Sequence, residues 1–150
     1  MNSLNKDYYF YIASSTDQDY GKSWTIEISG QTIKIYAVAD GHGECGGTMS
    51  KFAVQFLESR INNINWLKED LSGIINVLFS DLNEEGRIVC NGKNGGSTLS
   101  LVIRRVGVDL WIANVGDSEV KMVDLNDEKI KTLSSDHSPS NINEARRILK

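Results

Sequence analysis

Asp40, Gly41, His42 and Gly43 close an apolar, alternating run. A carboxylate at a strand end, beside a glycine whose carbonyl no side chain shields, offers two hard oxygen ligands at one point, as Mg²⁺ or Mn²⁺ requires. A histidine two residues on is the residue type that hands over a proton near neutral pH. The same four residues also read as an Asp-Gly turn followed by a surface histidine, and the tetrapeptide alone leaves both readings open. Two other candidates are set aside. Gly92-Lys93-Asn94-Gly95-Gly96-Ser97-Thr98 has the look of a phosphate loop, but Lys93 is not followed by Ser or Thr, and a strand pattern, not a helix, comes next. Asp136-His137 has no Ser or Cys nucleophile motif with it and reads as surface.

The elements that must position these residues follow from periodicity. Trp24, Ile26 and Ile28 alternate with polar residues, and Ile33 and Ile35 do so again after Gly30-Gln31, which predicts a β-hairpin whose second strand ends at Asp40. A further strand is expected at Tyr8 to Ala13. Met49, Phe52, Ala53, Phe56, Leu57 and Ile61 fall at helical spacing, and Leu67, Leu71, Ile74, Ile75, Leu78 and Leu82 form a second helical stripe. Both stripes are core faces. Strands resume with Leu99, Leu101 and Ile103, then Asp109 to Asn114, and two short strands flank a turn at Asn126-Asp127. A helix is expected from Asn143. Strands, two helices and strands again, without regular βαβ alternation, predict an α+β layered domain of mostly antiparallel sheet. No repeat or linker divides residues 1–150, which are read as a single partial domain.

Composition bounds the function. The 150 residues are 40% hydrophobic and 24% charged, ordinary for a globular domain, with net charge −4 and no basic stripe, so nucleic acid is not an expected partner. No run approaches the roughly 18 apolar residues of a membrane span. The apolar stretch at Tyr8 to Ala13 is too short for a signal sequence. Cys45 and Cys90, with no Cys-x-x-Cys pair, read as unpaired thiols and favour a reducing compartment, so the chain is expected to be soluble and cytoplasmic or nuclear.

Val38-Ala39-Asp40-Gly41-His42-Gly43 ahead of a helix resembles the strand-to-helix motif of the type 2C metal-dependent Ser/Thr protein phosphatases. Gly95-Gly96-Ser97-Thr98, then Ala113-Asn114-Val115-Gly116-Asp117-Ser118, are similar to the next two motifs of that family, in the same order. Leu133-Ser134-Ser135-Asp136-His137-Ser138-Pro139, with Glu144 and Arg147-Ile148 after it, resembles the segment that follows. The likeness runs from about Thr16 to the last residue and covers the N-terminal half of the family's catalytic domain. It implies an α/β/β/α sandwich, here incomplete, and hydrolysis of phosphoserine and phosphothreonine in protein substrates by a water activated by two Mg²⁺ or Mn²⁺ ions. It also implies that Asp40 bridges the ions, that the Gly41 carbonyl binds one, that Asp19 holds metal-bound water, that Asp117 belongs to an additional metal position and that His42 is the general acid.

The sequence departs from the family at two places that touch phosphate. Ser14 stands where the resemblance implies a phosphate-gripping Arg, and Glu119 stands where an Arg follows Gly-Asp-Ser. The family's second half supplies two further aspartates, and beyond Asp136 this sequence offers only Glu144 as an acidic residue. Two functions follow: a phosphatase completed by a second chain or weakly active alone, and a catalytically impaired half that binds a protein partner without turnover.

Overall fold

The computed structural model describes residues 18–124 and 128–149. The strand expected at Tyr8 to Ala13, Ser14 and the Asn126-Asp127 turn lie outside them.

Two long strands, β1 (Asp19–Ile28) and β2 (Gln31–Gly43), form the predicted hairpin. Its turn is Ser29-Gly30, one residue earlier than the Gly30-Gln31 connection expected from the sequence. Both residues have positive φ, 51° and 79°, as the two-residue turn that matches strand twist demands. Then come α1 (Gly46–Arg60), a single 3-10 turn at Ile61–Asn63, α2 (Ser72–Cys90), β3 (Gly95–Ser97), β4 (Leu99–Arg105), β5 (Asp109–Val115), β6 (Lys121–Asp124), β7 (Lys129–Thr132) and α3 (Ile142–Ile148). The main sheet runs β1-β2-β4-β5 with β3 paired to the end of β2, and β6-β7 form a separate ribbon. Every pairing is antiparallel. The expected α+β class with antiparallel sheet is therefore correct.

Ile33, Ile35, Ala37 and Ala39 of β2 and Leu99, Leu101 and Ile103 of β4 are all 1% exposed or less. They point to one face of the sheet because side chains alternate along a strand. Ala53, Val54, Phe56 and Leu57 of α1 and Ile75, Leu78 and Leu82 of α2 complete that core. α2 begins later than its apolar stripe suggested. Leu67 and Leu71 precede it; Leu71 is nevertheless fully buried, together with Trp66, in the connection between the helices. The Trp66 indole N–H donates to the Ile61 carbonyl at 2.8 Å, so the ring is buried without leaving its polar atom unpaired.

The cysteines correct the sequence reading. Cys45, which precedes α1, and Cys90, the last residue of α2, form a disulfide with Cα atoms 5.5 Å apart. Two unpaired thiols were the ground for expecting a reducing compartment, and the bond removes that ground. Spacing alone missed it because the helices bring together residues 45 apart in sequence.

A candidate divalent metal site at the end of the hairpin

The turn at Ser29-Gly30 sets the register of the hairpin all the way to its other end. Ile28 pairs with Gln31 and, at the far end, Asp19 pairs with Asp40. Two carboxylates thus stand side by side across neighbouring strands, where Cβ atoms are about 4.5–5.5 Å apart. Like charges so placed repel unless a proton or a cation lies between them.

The Asp40 backbone is fixed from the Gly95-Gly96-Ser97-Thr98 segment. Its N–H donates to the Thr98 hydroxyl at 3.1 Å, and its carbonyl accepts from the Thr98 N–H at 2.9 Å and the Ser97 hydroxyl at 3.1 Å. Asp19 is placed through its neighbour Gln18. The Gln18 carbonyl accepts from the Gly41 N–H at 3.2 Å and from the buried Ser50 hydroxyl of α1, while its side-chain amide donates to the Gly43 carbonyl at 3.3 Å. Gly41 admits no side chain: a Cβ there would lie 2.2 Å from the Gly46 carbonyl oxygen and 2.6 Å from that of Gln18. The glycine is therefore required by the close approach of the hairpin end to the start of α1.

Asp117 reaches the same end of the sheet through β5. Gly116 has φ of +94°, and a Cβ on it would lie 2.6 Å from the Thr98 methyl. Thr98 also shares a hydrogen bond of 2.7 Å with the Ser118 hydroxyl. The Gly116 carbonyl accepts from the His137 N–H at 3.1 Å and from the Asn114 side-chain amide at 3.1 Å. One threonine thus couples the strand end that carries Asp40 to the turn that carries Asp117. His42 is exposed, and its Nε2 lies 3.3 Å from where a Cβ on Gly96 would be.

The Asp40 carboxyl is held above the usual carboxylate range. Partial removal from water is the largest cause, followed by its hydrogen bond with Asp19, the charge of Asp19 and the charge of Asp117; His42 pulls in the opposite direction. Asp40 as a residue is exposed, so the crowding by two other carboxylates is the chemically informative part. Oδ1 of Asp19 is buried with no hydrogen-bond partner, which leaves a carboxylate oxygen without a donor. Paired carboxylates with an unpartnered oxygen are the donor chemistry a hard divalent cation satisfies, so the residues present fit such a cation. Among the described residues no group of three or more His, Cys, Asp or Glu side chains is close enough to hold a metal ion by itself.

The structure therefore brings Asp19, Asp40, Gly41 and His42 to one end of the hairpin, with Asp117 near enough for its charge to act on Asp40. Gln18, Ser50 and Thr98 position them; the sequence offered Thr98 within a motif but gave none of the three this role. Ser50 carried a legible signal, since a hydroxyl on the buried face of an apolar helix needs a partner. Glu119 is exposed and paired with Lys121 at 2.6 Å.

Comparison with known proteins identifies the family. The family model described as protein phosphatase 2C matches residues 19–150. The chain is 31% identical over 137 residues to probable protein phosphatase 2C 11 of Arabidopsis thaliana, covering 89% of this chain and 35% of that protein. It is 33% identical over 124 residues to probable protein phosphatase 2C 56 of Oryza sativa subsp. japonica, covering 81% and 34%. In fold it is similar to a bacterial serine phosphatase (TM-score 0.63, 23% identity, 93% of this chain and 53% of that one). It is also similar to the S. agalactiae serine/threonine phosphatase (TM-score 0.59, 24% identity, 91% and 56%). The chain spans about a third of the length of these curated relatives. The match over residues 19–150 and the identity to these relatives show that the chain belongs to the protein phosphatase 2C family.

Proposed function

We propose that this chain is a single partial domain carrying half of a two-ion site for hydrolysing phosphoserine and phosphothreonine esters in proteins. The observation that carries the reading is the cross-strand pair of Asp19 and Asp40, with the charge of Asp117 acting on it. Asp40, the Gly41 carbonyl and Asp19 would hold Mg²⁺ or Mn²⁺, with Asp117 at an additional position. When bound, such ions neutralise charge on phosphoryl oxygens and acidify water. Asp40 orients the site through its three backbone bonds to Ser97 and Thr98. His42, exposed at the rim, holds a proton for the departing Ser or Thr oxygen, a role usually worth 10²–10⁴-fold in rate. No protein nucleophile is called for.

The remaining ligands would come from a second chain or from the continuation of this one. The isolated chain is therefore expected to bind Mn²⁺ weakly and to hydrolyse p-nitrophenyl phosphate slowly or undetectably. Calorimetric titration with Mn²⁺ tests the site: binding that is lost in Asp40→Asn supports it, and unchanged binding in that variant sinks it. A second reading, a binding module without turnover, is favoured by Ser14, which stands where the resemblance implies a phosphate-gripping Arg. Robust Mn²⁺-dependent turnover by the isolated chain, abolished in Asp40→Asn, would overturn that second reading. Either way the expected partner is a phosphoprotein; no helix of the described residues is long and apolar enough to cross a membrane.

A further inference from the structure

The Cys45–Cys90 bond joins the two segments that frame His42. Cys45 ends the short connection, Glu44-Cys45, between the His42 end of β2 and α1, and Cys90 ends α2 just before the loop leading to Gly95-Gly96. These segments touch closely. A Cβ on Gly95 would lie 2.3 Å from the His42 carbonyl oxygen, and one on Gly43 would lie 2.7 Å from the Gly95 Cα. Beyond Ser97 and Thr98, which are bonded to Asp40, the contacts that hold them together are β3 paired with β2 at Gly41, His42 and Gly43 and the Cys45 N–H donating to the Asn94 carbonyl at 3.2 Å. The loop between Cys90 and β3 is polar, carries Gly92 and is anchored internally by the Lys93 N–H to the Cys90 carbonyl at 3.0 Å. The core strands β2 and β4, by contrast, are paired over their length and buried beneath α1 and α2. Loss of the disulfide would thus be felt first at the His42 end of β2 and the loop before β3, and not in the core.

We propose that Cys45–Cys90 is a reversible thiol–disulfide switch that sets how firmly the His42 end of β2 is held against Gly95-Gly96. The inference rests on the reading of His42 and Asp40 as site residues. Cys45 is 2% exposed and Cys90 only half-buried, so Cys90 is the end open to attack. The reductant is a dithiol. One of its thiolates attacks the Cys90 sulfur, the S–S bond breaks, and the Cys45 sulfur leaves as a thiolate and takes up a proton. The second thiol of the reductant then displaces the Cys90 sulfur from the mixed disulfide. The protein gains two electrons and two protons, and the reductant becomes a disulfide. The same exchange run backwards with an oxidised dithiol restores the bond.

The test uses the full chain with dithiothreitol as the probe. Alkylation and intact-mass measurement of the unreduced native protein should find no free thiol, and both thiols after reduction. Hydrogen exchange is then followed at times when β4 amides remain protected. Reduction should speed exchange at residues 41–46 and 91–96 at least tenfold while β4 is unchanged. The Cys45→Ser/Cys90→Ser double variant should exchange like the reduced protein and ignore dithiothreitol. Free thiols in the unreduced protein, exchange unchanged at both segments, an equal rise throughout the sheet, or a double variant that still responds would each overturn the proposal. If the double variant does not fold, the dithiothreitol arm on the natural chain decides alone. Neither readout uses metal or substrate, so failure of the phosphatase reading, seen as absent Mn²⁺ binding, is distinguishable from failure of this one.

Discussion

Asp19 faces Asp40 directly across the β1–β2 hairpin, and the pair lies at the end of the sheet where Gly41, His42 and the Asp117 turn also arrive. Partial burial, then the Asp19 carboxylate and the charge of Asp117, raise the proton affinity of Asp40. The arrangement therefore works against the metal-free fold and in favour of the cation that would relieve it.

Asp40→Asn should consequently do two opposite things. In EDTA it relieves the repulsion and raises Tm, by about 1–2 °C because solvent screens an exposed pair. With Mn²⁺ it removes the ligand and abolishes the metal-induced rise. The sign follows from a folded pKa above the unfolded one: the ionised wild-type carboxyl disfavours folding at neutral pH, and this effect fades as pH falls through the folded pKa toward 3.8. The advantage of the variant in EDTA should shrink over that window, measured by thermal melts from pH 7 downward.

Gly41→Ala and Gly73→Ala form a matched pair. At Gly41 a Cβ meets the Gly46 carbonyl at 2.2 Å, so backbone must move, and a loss of about 2–3 kcal/mol is expected by denaturant unfolding. At Gly73, in the first turn of α2, a Cβ meets nothing within 4 Å, and alanine should stabilise by about 0.5–1 kcal/mol. Equal effects at both positions would contradict the close approach of the hairpin to α1.

Thr98→Val keeps shape and removes one hydroxyl. It leaves the Asp40 N–H without its acceptor and frees Ser118, at a cost of about 1–2 kcal/mol. Mn²⁺ affinity should also drop severalfold, because Asp40 and Asp117 lose their common tether. Thr98→Ser, which retains the hydroxyl, should recover most of the affinity in the same titration.

Arg105 is 6% exposed, and its guanidinium is held by the Asp109 carboxylate and the Lys68 carbonyl at 2.6 Å. The hydrogen bond to Arg105 is the main reason the Asp109 carboxyl is pushed below its usual range. Its stabilisation is present above the unfolded value of 3.8 and is lost as pH falls through the lower folded pKa. Asp109→Asn should cost about 2–4 kcal/mol at pH 7 by leaving a buried cation underpaired. The difference from the natural chain, read by denaturant unfolding, should narrow as pH falls below 3.8 through the lower folded pKa of Asp109.

Local periodicity and motif chemistry determined much of this protein from sequence: the alternation that makes β2 and β4, the helical stripe of α1, and the Asp-Gly-His-Gly strand end. These are properties of adjacent residues, and the main chain converts them directly into strands, helices and turns. Register was left to the tertiary structure. A turn at Gly30-Gln31, as the sequence suggested, would have set Asp19 against His42; the turn at Ser29-Gly30 sets it against Asp40. A one-residue slip in a hairpin turn moves every partner by two without changing which side chains face the helices, so the alternation of apolar residues leaves both registers open. The Cys45–Cys90 bond and the tether through Thr98 were decided the same way. They depend on distances between segments far apart in the chain, which no local pattern encodes.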